Sequence, residues 1–93
     1  MNIQGFAVIK LEGNFNIDAI PEFKKTIKNY LDSDTIIFDF RHVTDISSSA
    51  LRELNGVRRK VINKGNSVKI INMSPDVLET FDMTGYSKFF VIE

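Results

Sequence analysis

Three consecutive serines, Ser47-Ser48-Ser49, are the residues whose type and position best suit chemistry. They lie where a loop is predicted to pass into a helix that begins at residue 48. Serine is a preferred N-cap, because its side-chain oxygen accepts a hydrogen bond from an N–H group that the first turn leaves unpaired. Capping explains one serine. Another could accept a phosphate, since a helix N-terminus offers free N–H donors and a positive dipole end.

Two further sets of residues carry weaker signals. His42, Asp45 and Ser48 are the residue types of a hydrolase triad, but they share one short segment without a recognisable nucleophile turn. We therefore assign no catalytic residue, expect a protein that is not an enzyme, and interpret His42 as a polar residue at a strand end. Arg58 lies near the apolar stripe of its predicted helix, so its head either reaches water or forms an ion pair at a partner surface.

The composition excludes several classes of function. Twelve Lys and Arg balance twelve Asp and Glu, which argues against direct binding to nucleic acid. The absence of cysteine excludes disulfides, thiolate zinc sites and iron–sulfur clusters, and one histidine cannot build a multi-histidine site. We expect no metal and no cofactor. The sequence contains no apolar run near the ~18 residues of a membrane span and no signal-peptide pattern, so we expect a cytoplasmic protein.

The 93 residues suit a single domain, 1–93, in which strands alternate with helices. Such strand–helix–strand units favour parallel pairing and right-handed crossovers. The expected fold is a small α/β domain: a mixed four- to five-stranded sheet covered by about three helices. The predicted strands are 1–4, 6–12, 35–40, 67–72 and 88–92, and the predicted helices are 18–32, 48–64 and 75–84.

Local patterns fix some details of these elements. The strand at 6–12 is apolar on both faces, which suits a central strand. Asp18 is a candidate N-cap for the first helix, and Pro21 fits its first turn. In the second helix, Leu51 and Leu54 belong to the apolar face and are expected to be buried.

Several motifs along nearly the whole chain together resemble the STAS domain, found in bacterial anti-sigma factor antagonists and in sulfate-transporter tails. No single motif is specific, but their order and spacing match the family. The segments that carry the resemblance are Gly13-Asn14-Phe15-Asn16, Ile36-Ile37-Phe38-Asp39-Phe40, Ser47-Ser48-Ser49-Ala50-Leu51, Lys64-Gly65, Asn72-Met73-Ser74-Pro75-Asp76-Val77 and Phe81-Asp82-Met83-Thr84-Gly85-Tyr86-Ser87-Lys88-Phe89-Phe90.

The resemblance implies a phosphorylation-switched binding module of anti-sigma factor antagonist type. In that family the serine at the position of Ser48 is phosphorylated by a partner that is both anti-sigma factor and kinase. Phosphorylation abolishes binding, and a matching phosphatase restores it, so that the unmodified protein frees a sigma factor. A monomer or weak dimer is expected. The implied partner-binding residues are Asn14, Asn16, Asp45, Ser47, Ser49, Arg52 and Asn55.

The sequence departs from the family pattern at three positions around this site. Ser47 and Asn16 stand where the family has aspartates, and Ala50 stands where it has glycine. The alternative function is an unswitched STAS scaffold, such as the small STAS subunit of a phospholipid-trafficking transporter. There the second helix and the loop before it would dock on the transporter's ATPase.

Overall fold

The computed structural model describes residues 5–93 and confirms a small α/β domain with three helices. Four strands pair in the order β1-β2-β3-β4, and all the pairings are parallel rather than mixed. The strand predicted at 1–4 lies outside the described residues. The elements are β1 (Phe6–Phe15), α1 (Ile20–Ile27), β2 (Thr35–Ile46), α2 (Ser48–Asn63), β3 (Ser67–Ile71), α3 (Pro75–Thr84) and β4 (Val91–Ile92).

All three helices pack on one face of the sheet. Phe38 of β2 contacts Phe23 of α1 with ring centroids 5.7 Å apart, and Phe40 contacts Phe81 of α3 at 6.0 Å. Leu51 of α2 is fully buried in the same core. Strand order 1-2-3-4 explains this arrangement, because right-handed crossovers that always advance in one direction place every helix on the same side.

Among residues 5–93, β1, which the sequence predicted to be central, lies at one edge of the sheet. Its apolar residues do alternate in direction: Ala7 and Ile9 are buried under the helices, whereas Phe6 and Val8 are exposed on the other face. Apolar residues on both faces indicate burial only when both faces are covered. Within residues 5–93, no helix packs on the face that carries Phe6 and Val8.

Both long strands extend further than the sequence predicted. Gly13 has a φ of +67°, which suggests a turn, yet β1 continues through it to Phe15. Irregular register at Lys10/Glu12 and Gly13/Asn14 accommodates the left-handed glycine without ending the pairing with β2. His42 is consequently an exposed mid-strand residue, not a strand end.

The first helix is shorter than predicted and begins differently. A 3₁₀ turn at Ile17–Ala19 precedes α1, and its N-cap is Asn16, whose Oδ1 accepts a hydrogen bond from the Asp18 N–H at 3.0 Å. Asp18 is therefore the capped residue, not the cap. After Ile27 the chain follows 3₁₀-type bonds, including Tyr30 N–H to the Ile27 carbonyl at 2.9 Å, which end the α-helix.

The later elements lie close to their predicted ranges, except that β4 is only Val91–Ile92. A 3₁₀ turn occupies Tyr86–Lys88, where the sequence predicted the start of the strand. Ser74 caps α3 by accepting the Val77 N–H at 3.3 Å, and Gly85 ends it with a φ of +81°. Proline and glycine thus limit α3 at its two ends, as predicted.

Asp39 on β2 makes part of the stability dependent on pH. Its pKa is lowered by a hydrogen bond from the Arg41 N–H and by one from the Asn72 side chain. A lowered pKa in the folded state means that the contribution is present above the unfolded value of about 3.9 and is lost as pH falls through the folded value. We expect Asp39→Asn to be less stable than wild type near neutral pH, with the difference shrinking on acidification.

Urea unfolding of the two proteins across the acid range measures this effect. Asp82→Asn, on an exposed position of α3, is the control and should run parallel to wild type. A stability difference for Asp39→Asn that stays constant down to the lowest pH would contradict the assignment.

Candidate functional site

The start of α2 leaves two backbone amides available beside an exposed serine hydroxyl. Ser47 is the N-cap, and its Oγ accepts the Ala50 N–H at 3.1 Å. The Ser47 N–H donates to the Phe15 carbonyl at 3.0 Å. Of the four N–H groups that a helix start leaves without intrahelical acceptors, only those of Ser48 and Ser49 then remain. Ser48 is exposed in the first helical position, so capping and a modifiable hydroxyl belong to different serines.

The parallel sheet places the ends of β1 and β2 side by side next to this helix start. Asn14 pairs in register with Asp45, and Phe15 pairs with Ile46. The Ser47–Phe15 hydrogen bond continues that pairing into the loop. The end of β1, which contains Asn14, therefore lies beside the end of β2 and the start of α2.

Two of the predicted binding side chains have local roles. The Asn16 amide oxygen caps the 3₁₀ turn before α1. Asp45 is exposed, and its Oδ1 accepts the N–H of Ile46 at 2.9 Å, which stiffens the strand end. These hydrogen bonds fix the two side chains, so the second oxygen of Asp45 and the NH2 group of Asn16 keep a defined direction.

The two predicted binding residues farther along α2, Arg52 and Asn55, lie at different distances from Ser48. Arg52 is exposed one turn beyond Ser48, where its side chain borders the helix start. Asn55 is half-buried about 10 Å along the helix axis from Ser48 and accepts a hydrogen bond from Arg58 Nη1 at 3.3 Å. We therefore group Asn14, Asn16, Asp45, Ser47, Ser48, Ser49 and Arg52 as the α2-start surface, from which Asn55 lies apart.

Arg58 contacts two aromatic rings, which the sequence did not predict. Its guanidinium carbon lies 5.4 Å from the ring centre of Phe89 and 6.0 Å from that of Phe90. This is cation–π geometry, which neither of the two sequence-based interpretations of Arg58 included. Phe89 and Phe90 are visible in the sequence as an aromatic pair, but only the fold shows that they lie against Arg58 of α2.

The arrangement does not form a hydrolase triad from His42, Asp45 and Ser48. His42 and Asp45 are three residues apart on a strand, a separation of about 10 Å that prevents a hydrogen-bonded triad with Ser48. Within residues 5–93 there is no cluster of three or more His, Asp or Glu side chains that could hold a metal ion. Among the same residues, no helix has the length and apolar character needed to cross a membrane.

Solved structures of other proteins superimpose on this fold. SpoIIAA, an anti-sigma factor antagonist, superimposes in its unphosphorylated form with a TM-score of 0.81 at 22% identity, covering 100% of this chain and 84% of that one. The phosphorylated form of SpoIIAA from Bacillus gives 0.71 at 21% identity, covering 95% and 82%. A sulfate transporter family protein from Wolinella succinogenes gives 0.81 at 13% identity, covering 94% and 75%.

These likenesses show a shared fold at low sequence identity. The sequence itself matches the model of one protein family, the STAS domain, over residues 2–93. That match spans all four strands and the serine-rich start of α2. The chain belongs to the STAS domain family.

Proposed function

We propose that this protein is an anti-sigma factor antagonist whose binding to its partner is switched by phosphorylation of Ser48. The unmodified α2-start surface binds an anti-sigma factor that is also a serine kinase, and a sigma factor is thereby released. A phosphatase reverses the modification. The protein itself catalyses no reaction.

The observation that carries this proposal is that the serine that caps α2 and the exposed serine beside it are different residues. Ser47 caps α2, while Ser48 keeps an exposed hydroxyl beside two amides without intrahelical acceptors. A phosphoryl group at that place would meet N–H donors and the positive end of the helix dipole. The modified protein would therefore stay folded while its surface gained about 1.5 to 2 negative charges.

The chemical step is a phosphoryl transfer from ATP. A bond forms between Ser48 Oγ and the γ-phosphorus, and the bond from that phosphorus to its bridging oxygen breaks. ADP leaves, and the proton of the serine hydroxyl is released. All catalytic groups belong to the kinase, so the acceptor needs only an accessible hydroxyl at a well-ordered position.

We expect Ser48→Ala to abolish labelling by radioactive ATP in the presence of a serine kinase of the histidine-kinase ATPase fold from the same genome. Ser49→Ala should be labelled like wild type, because its hydroxyl is only half-exposed and belongs to the second helical residue. Ser47→Ala should also be labelled, with lower stability because the cap is lost. Phosphosite mapping by mass spectrometry identifies the acceptor directly.

Equal labelling of wild type and Ser48→Ala would reject Ser48 as the acceptor. Absence of labelling in every protein, with tight binding to a transporter ATPase, would favour the unswitched scaffold. One observation supports that second candidate: the first turn of α2 contains no acidic residue, and Ser47 replaces the aspartate of the switched family members.

A further inference from the structure

The face of the sheet opposite the helices exposes apolar side chains on the two outer strands, β1 and β4, with Ile37 of β2 and Lys69 of β3 between them. In register, Val8 pairs with Ile37, Ile37 with Lys69, and Lys69 with Val91. Phe6 is 72% exposed, and Val8 and Val91 are each 55% exposed. Single exposed apolar residues are ordinary, but Phe6, Val8 and Ile37 adjoin one another on two paired strands, and such a patch marks an interaction surface.

Charged side chains lie among the apolar ones on this face. Lys10 on β1 pairs in register with Asp39 on β2. Glu93 follows β4, with its carboxylate 3.2 Å from the ammonium of Lys69 on β3. The β1 side of the face thus presents Lys10 and the β4 side presents Glu93, an arrangement that suits a partner carrying the same pattern.

We propose that the open sheet face binds a second copy of this chain, giving a face-to-face dimer related by a two-fold axis parallel to the strands. Such an axis places β1 of one copy over β4 of the other. Val8 then meets Val91, and Lys10 meets Glu93, in both halves of the interface. A two-fold axis across the strands would instead stack Lys69 on its own copy, which like-charge repulsion disfavours.

The size of the face predicts a weak dimer. Four strands spaced about 4.8 Å apart, with five residues rising about 3.3 Å each, give a footprint of roughly 20 × 16 Å on each copy. Two such footprints amount to at most roughly 640 Å², below the total of about 1,000 Å² that stable complexes exceed. We expect a Kd between about 10 µM and 1 mM. The α2-start surface is at the end of the sheet, so it remains free in the dimer.

Sedimentation of the full chain over that concentration range measures the association. We expect Lys10→Glu to weaken it by about tenfold or more, because two Glu–Glu contacts replace two ion pairs. The double variant Lys10→Glu, Glu93→Lys should recover part of the loss by restoring opposite charges across the interface. Met83→Lys is the matched control: Met83 is 79% exposed on α3, in the helical layer, and its substitution should leave association unchanged.

Crosslinking tests the orientation, since the chain contains no native cysteine. With a bismaleimide that spans about 10 Å, the distance between packed sheets, a mixture of Val8→Cys and Val91→Cys proteins should crosslink efficiently. Val8→Cys alone should not, because three strand spacings separate its two copies.

Several results would overturn the proposal. A monomer at every concentration would exclude the dimer, and so would an equal loss of association in Met83→Lys. Flotation of the monomer with anionic lipid vesicles would assign the face to a membrane instead. Efficient crosslinking of Val8→Cys alone would exclude the strand-parallel axis.

Discussion

Replacing Leu51 by alanine is expected to lower the free energy of unfolding by about 2–5 kcal/mol. Leu51 lies on α2 and is fully buried between that helix and the sheet. Alanine would remove apolar contacts and leave a cavity that the surrounding helices and strands can fill only in part. Because a small domain has about 5–15 kcal/mol of stability in total, this one change is expected to remove much of it.

Thermal and urea unfolding both measure this loss. For a domain of this size about 1 kcal/mol corresponds to roughly 4–8 °C, so the melting temperature should fall by at least about 10 °C. Leu54→Ala should behave alike, since Leu54 is equally buried. Arg52→Ala, an exposed neighbour on the same helix, should change the melting temperature by only a few degrees. Similar melting temperatures for all three variants would mean that the buried face of α2 is wrongly assigned.

The second helix was predictable because its signals agree with one another. Leu51 and Leu54 recur with helical period, Ser47 precedes the first turn, and Gly65 follows the last. Local capping and periodicity both depend on residues within a few positions, so the sequence contains them in full. The exposure of Ser48 follows from the same local pattern.

The open sheet face was not predictable by the same reasoning. Residues 6–12 alternate between two apolar sets, and a strand covered on both sides shows the same pattern. Only the strand order distinguishes the two cases, because order 1-2-3-4 sends every crossover to one side. That order depends on contacts between distant parts of the chain, which a pattern within one strand does not encode.

The proximity of Asn14 and Asp45 in the candidate site follows from the topology of the sheet. Asn14 and Asp45 meet because parallel strands end at the same edge, which the strand–helix–strand order implies. Asn55 was predicted to share this surface from its place on α2, and the structure adds a hydrogen bond from Arg58, which also lies over Phe89. The contact between Arg58 and Phe89 joins α2 to the last segment of the chain, so a pattern within α2 does not encode it.

Replacing Ser48 by aspartate is expected to weaken binding to the anti-sigma factor by about 2 kcal/mol or more, roughly a 30-fold rise in Kd. The side chain lies on the surface that we propose to be buried in the complex, where a carboxylate would lose its water, a cost that Arg52 one turn along α2 would offset only in part. The free protein should remain folded, since an acidic residue in the first turn of a helix interacts favourably with the dipole. Calorimetry measures the Kd, and a thermal melt confirms folding.

Ser48→Asn is the matched control for this measurement, because asparagine has nearly the shape of aspartate but no charge. If charge operates the switch, Ser48→Asn should bind close to wild type while Ser48→Asp does not. Ser49→Asp places the same charge on the next residue, which is half-exposed and turned about 100° around the helix. A smaller loss of binding free energy for Ser49→Asp than for Ser48→Asp would locate the switch at Ser48. Equal losses for Ser48→Asn and Ser48→Asp would show that the size of the side chain, not its charge, blocks the partner.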